Sequence, residues 1–305
     1  MDPVDNDTAD AAQLVTTEDG RRLAFAEYGD PDGWPVFFCQ GTPSSRLWHH
    51  PDPSIAIRAG ARIIRIDRPG FGRSDYQPGR TVLDWPTDLA RVADSLQIDR
   101  FTVIGFSGGG PYAAACAYAL PDRVLSATLV ASLGAVDLPG VTANLTRLRK
   151  LGIFTARRAP ALLRPSLWLL GPGRDPSRFF DRFTAGFPTR DRELLARPDT
   201  RTIIVDSYRE SARAGHRGFA RELALLARPW GFPLADIRVP VFLWHGEEDA
   251  STPIPMAHHM AAAFPDPTTH FLPGEGHFLI LDHYAEILAE ARRAAEQATS
   301  RDPST

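Results

Sequence analysis

Cysteine is scarce in this chain of 305 residues: there are two, Cys39 and Cys116. Both lie in apolar runs and neither has the spacing of metal ligands, which excludes a disulfide scaffold and predicts buried free thiols. Long hydrophobic runs are missing as well, and none reaches the roughly 18 residues of a membrane span. The opening MDPVDNDTAD is acidic where a secretory signal is basic, and no apolar stretch follows it. The expectation is a soluble, cytoplasmic protein with no membrane partner. A strong charge of either sign is also lacking. The formal charge of -3 gives neither the basic footprint of a nucleic-acid binder nor an acidic solvating tail. The pairs His49/His50 and His258/His259 have no HExxH or cysteine companions, so they read as surface or packing residues, and neither metal nor cofactor is called for.

What is present is enough apolar material, 43% of residues, for one sizeable core with an embellishment. Apolar, β-branched runs bounded by turn residues predict strands at 12–17, 22–28, 35–40, 61–66, 101–106, 125–132, 239–245 and 268–273. TVLDWPTDLARVADSL has helical spacing at Leu83, Leu89, Val92 and Leu96, with Pro86 in the first turns; PYAAACAYAL is small and apolar all round, as a helix buried on a sheet is. Strands alternating with helices predict an α/β fold: a mostly parallel sheet covered on both faces, preceded by an antiparallel hairpin.

Residues 137–235 interrupt the alternation. They read as helices and loops, hold Trp168 and Trp230, and carry about +9 against about -12 for the rest of the chain. The expectation is a helical cap on a core formed by 12–136 and 236–298, with disordered polar tails at 1–11 and 299–305. The charge excess has two readings. Opposite charges dock the cap, or some cap arginines face the cleft and favour an anionic substrate.

The stretch GFSGGGP, residues 105–111, could hold a phosphate or expose a serine. No lysine follows the glycines, as a phosphate-binding loop requires. Gly108, Gly110 and Ala113 satisfy the dinucleotide fingerprint only formally, because the acidic residue about 20 positions on is missing. Pro111 also removes an amide donor from the helix start. The alternative is GxSxG, with Ser107 at a strand-to-helix turn so tight that Gly105 and Gly109 are needed beside it. A serine hydroxyl needs a base and an acid to attack anything. HGEEDASTP supplies Asp249 after one predicted strand, and GEGH supplies His277 after the next, in the order Ser, Asp, His. Glu247, Glu248 and Asp137 are competing acids, and His245, within its strand, reads as structural.

Together CQGTPSSR (39–46), DRPGFGRSD (67–75), GFSGGGP, HGEEDASTP (245–253) and GEGH (274–277) make the chain resemble the α/β-hydrolase family, and within it the capped hydrolases whose loop reads HGTPGSR. The resemblance implies an eight-stranded sheet, Ser107, Asp249 and His277 as a catalytic triad, and the amides of Thr42 and Gly108 as an oxyanion hole. It also implies structural roles for Asp67 and Ser74. Two departures stand out: Gln40 where the family has histidine, and Ser44-Ser45 where it has Gly-Ser. Phe106, Phe278 and Trp168 are expected to line an apolar pocket. The expected activity is esterase-type hydrolysis of a small molecule by a monomer or homodimer. A C–C hydrolase, lactonase or amidase could use the same groups, and a ligand-binding or biosynthetic auxiliary could retain them without hydrolysis.

Overall fold

The computed structural model describes residues 12–135, 147–159 and 162–300. Eight strands form one mixed sheet: β1 (Gln13–Thr16), β2 (Arg22–Gly29), β3 (Trp34–Cys39), β4 (Ala61–Ile66), β5 (Phe101–Phe106), β6 (Val124–Val130), β7 (Val241–Gly246) and β8 (Pro267–Leu272). Their order is β1-β2-β4-β3-β5-β6-β7-β8. The pairings β1 with β2 and β2 with β4 are antiparallel, and every later pairing is parallel. Each strand lies within two residues of its predicted bounds at either end.

Strand periodicity divides the core in two. In β5, Phe101 and Val103 point to one face and Ile104 and Phe106 to the other; in β3, Phe37 and Cys39 oppose Val36 and Phe38. The first face is covered by α2 (Trp85–Ser95) and α3 (Gly110–Ala119). Pro86 sits in the opening turn of α2, where its missing amide costs nothing. Ala113, Ala114, Ala115 and Ala117 of α3 are buried, letting the helix lie close on β5. The second face is covered by α1 (Ser54–Arg58) and by α11 (Ile280–Ser300). Residues 299 and 300 are therefore helical, whereas the sequence assigns them to a tail. Helix α10 (Pro255–Ala263) links β7 to β8.

Between β6 and β7, the described residues form six α-helices: α4 (Arg147–Arg158), α5 (Leu163–Leu170), α6 (Pro176–Thr184), α7 (Thr189–Ala196), α8 (Pro198–Ser211) and α9 (Arg217–Leu226). Phe180, Phe187, Leu194, Ile204 and Tyr208 from α6 to α8 extend the second core, whereas Leu225 and Leu226 of α9 join the first. Among the described residues, no helix is long and apolar enough to cross a membrane. Cys39 and Cys116 are buried and unbonded to each other, and burial pushes the Cys39 thiol up to about 11.

Candidate active site

Strand β5 ends at Phe106, and the next residue, Ser107, has a φ of 54° that places a non-glycine residue in the left-handed region. A side chain at Gly105 would come within 2.7 Å of the Gly109 carbonyl, and one at Gly109 would strike the carbonyl of Cys39. The turn is thus held by close approach of backbone to backbone. It continues as a short 3-10 turn, Ser107–Gly109, before α3 begins at Gly110. Pro111 lies in the first turn of that helix, where it is tolerated.

The three residues expected to act together are within hydrogen-bond reach. Ser107 Oγ lies 3.0 Å from His277 Nε2, and His277 Nδ1 lies 2.8 Å from Asp249 Oδ2. With the proton on Nδ1 donated to the carboxylate, Nε2 is left to accept the Ser107 hydroxyl. Asp249 is buried while Glu247 and Glu248 point to solvent, which separates the three consecutive acids; Asp137 lies outside the described residues. The Asp249 carboxylate also accepts the amides of Ser251 and Thr252 at 2.7 and 2.8 Å. Burial opposes its ionisation, but the His277 imidazole and these bonds hold its carboxyl below the usual range. His245 ties its strand to the Thr252 carbonyl at 2.6 Å, and burial lowers its basicity.

Opposite Ser107 runs the loop after β3. Gln40 is buried, and its Nε2 donates to the Ile66 carbonyl at the end of β4, 2.7 Å away. Arg68 holds the same loop from beneath, donating to the carbonyls of Gln40 and Gly41 at 2.5 and 2.8 Å and to Thr42 Oγ1 at 2.8 Å. Thr42 and Gly108 are neighbours: a Cβ on Gly108 would lie 2.7 Å from Thr42 Oγ1. Ser44 and Ser45 meet Ser207 of α8, with the two side-chain oxygens of Ser44 and Ser207 2.9 Å apart and the Ser45 amide 3.0 Å from Ser207 Oγ. Asp67 accepts the Arg46 amide and guanidinium, and the Ser74 hydroxyl bonds to the Asp67 carbonyl.

The cavity over Ser107 has a volume of about 30 Å³ and is lined by Trp48, Phe106, Phe183, Ile204, Tyr208 and Phe278, among others. Phe106 and Phe278 stand where the sequence places them. Trp168 does not: it lies on α5, is 63% exposed and is no part of this lining. An aromatic side chain in a helix of unknown register carries no mark of the face it takes. Phe183, Ile204 and Tyr208 take that place, and Phe187 packs edge-on against the His277 ring at 6.1 Å. Sequence reasoning missed these residues, along with Trp48, which stacks on Phe106. Among the described residues, no arginine lines the cavity.

Sequence reasoning also missed the acids by which the helical segment docks. Glu222 of α9 is fully buried, with Arg68 Nε 2.7 Å away and ion-paired to Arg80; the Tyr112 hydroxyl donates to it at 2.8 Å. Glu210 of α8 reaches Arg46 at 2.7 Å and Arg73 at 3.3 Å. The one available signal was RELALL, where Glu222 sits among residues that belong to an apolar face.

Set against known proteins, residues 35–284 match the alpha/beta hydrolase fold family, and the chain belongs to it. A non-heme chloroperoxidase of Streptomyces lividans is 37% identical over 122 residues, 39% of this chain and 44% of that protein. The chain thus spans under half the length of this relative. An esterase of Thermogutta terrifontis superposes with a TM-score of 0.66 at 23% identity, covering 94% of this chain and 98% of the other. A bromoperoxidase of Bacillus anthracis gives 0.69 at 21% identity, over 94% and 100%. The two structures share the fold, and all three matches bear on the family rather than on a narrower group within it.

Proposed function

We propose that the protein is a serine hydrolase that cleaves a carboxylic ester, or a related acyl bond, of a small and largely apolar molecule. The observation that carries this reading is the continuous hydrogen-bonded series Ser107, His277, Asp249 at the mouth of an aromatic-walled cavity. In the proposed reaction, Ser107 Oγ attacks the carbonyl carbon while its proton passes to His277 Nε2. The carbonyl oxygen becomes an oxyanion facing the amides of Thr42 and Gly108. Collapse expels the alcohol, which leaves with the proton from His277, and Ser107 keeps the acyl group. Water, deprotonated by His277, then attacks the acyl carbon; the bond from that carbon to Ser107 Oγ breaks, His277 returns the proton to Oγ, and the acid is released. Asp249 holds the imidazole and stabilises its charged form. These steps call on neither metal nor cofactor, and we assign the protein to the cytoplasm as a monomer or homodimer without nucleic-acid or membrane partners.

A cavity of about 30 Å³ holds little more than a water molecule or two, whereas small-molecule sites usually offer ~300 Å³ or more. Substrate entry therefore requires the helices bearing Phe183, Ile204 and Tyr208 to move, and we call this segment the cap. The test is turnover of short p-nitrophenyl esters. Ser107→Ala is expected to lower kcat by at least ~10⁴-fold with the fold intact. Wild-type rates from that variant would refute the mechanism.

A further inference from the structure

A second carboxylate meets His277, and it comes from the cap. Asp191, in the first turn of α7, is fully buried. Its Oδ2 accepts the backbone amide of His277 and its Oδ1 that of Phe278, each at 2.8 Å. The arginines near it in sequence turn elsewhere: Arg190 pairs with Asp282 and lies 3.6 Å from Glu275, and Arg197 reaches Asp282 at 3.2 Å. Asp191 is thus spent on two amides of the loop that carries the imidazole. Burial pushes its carboxyl above the usual range, only partly countered by the Phe278 amide and the His277 ring, so keeping it ionised there is costly. Gly276, the residue before the histidine, makes the approach possible, because a Cβ at that position would sit on the Asp191 carboxylate. The second glycine of GEGH is accounted for by a residue 85 positions upstream, on another part of the fold.

We propose that Asp191 is a positioning residue that ties docking of the cap to placement of His277, so that the imidazole is set against Ser107 only when α7 is seated. The proposal rests on the reading of Ser107 as nucleophile and His277 as its base. When the cap moves to admit substrate, the amides of residues 277 and 278 lose their acceptor and the His277 loop is released. When the cap returns over bound substrate, the two bonds re-form and fix the ring. The base is then competent only while Phe183, Phe187 and Tyr208 shield the reaction from bulk water.

Two variants break the contact from opposite sides. Asp191→Asn retains an acceptor for one amide only, and Gly276→Ala keeps the carboxylate but denies it access. Arg190→Gln is the control, loosening α7 through Glu275 and Asp282 while sparing the amides. The readouts are the rate at which a small fluorophosphonate labels Ser107, and kcat and KM for p-nitrophenyl butyrate, with thermal unfolding to show that each variant is folded. Asp191→Asn and Gly276→Ala are both expected to label and turn over about 10²-fold slower, the cost of roughly an ångström of misplacement, with KM changed little. Arg190→Gln is expected to stay near wild type. Should either of the first two not fold, Asp191→Glu, which keeps the charge but cannot seat both amides, carries the same expectation. Wild-type labelling rates in the folded variants, or an equal loss in Arg190→Gln, would overturn the proposal while leaving Ser107 as nucleophile. Failure of the wild type itself to label would instead remove the reading on which it rests.

Discussion

At Gln40 a single side chain replaces the histidine that the family resemblance leads one to expect, and the structure shows how the replacement fits. Its amide bonds to the carbonyl that ends β4, bracing the loop that brings Thr42 beside Gly108. Removing that bond by Gln40→Ala leaves a buried carbonyl unpaired, at about 1–3 kcal/mol of stability. It also loosens a proposed oxyanion donor, so kcat for ester hydrolysis should drop by ~10²- to 10³-fold. Gln40→His should stay within about tenfold of wild type, a difference of about 1.4 kcal/mol in the barrier. A larger gain would mean that glutamine leaves the site impaired. Ser107, Asp249 and His277 were legible at this scale because each sits in a short pattern that backbone crowding or strand-end placement imposes. The acidic turn by itself left Glu247 and Glu248 as competitors, since adjacent residues in a turn differ only in the direction they face; the family resemblance singled out Asp249, and tertiary packing buries it while the other two stay exposed.

Among the elements, strands were legible to within two residues at either end, because alternation along β3 and β5 sends successive side chains to two different cores. The cap helices were recognisable as helices, but not in which face they turn inward. Trp168 on α5 was assigned to the pocket and stands exposed, while Phe183 on α6 lines it. That difference has a measurable consequence. We place the acyl group against Phe183; shortening that side chain to alanine enlarges its room, so the ratio of kcat/KM for octanoate over butyrate esters should rise by about tenfold or more. An unchanged ratio would place the acyl group elsewhere.

For the whole molecule, charge turns out to work against the simplest expectation. The cap is rich in arginine, yet its deepest attachments are acids: Glu210 and Glu222 enter among core arginines, and Asp191 takes backbone amides. Arg190 and Arg197 dock at the rim on Asp282, and among the described residues no arginine lines the cavity. Composition gave the net charge of each part but could not say which minority residues are buried. Burial works against ionised Glu222, but Arg68 and Arg80 outweigh it and hold its carboxyl below the usual value. A depressed acid stabilises the fold above its unfolded pKa, about 4.3 for glutamate, and loses that contribution as pH falls through the folded value. Glu222→Gln should therefore cost about 3–5 kcal/mol near neutrality, having stripped two buried arginines of their partner. The gap in Tm between variant and wild type should narrow on acidification below about pH 4.

Everything proposed for this molecule depends on Ser107 acting as the nucleophile of a folded hydrolase. Intact-protein mass spectrometry after exposure to a fluorophosphonate is the decisive experiment. One adduct per chain is expected, mapped to Ser107 and absent from Ser107→Ala. A folded wild-type protein that gains no adduct, or gains it at another residue, would contradict it.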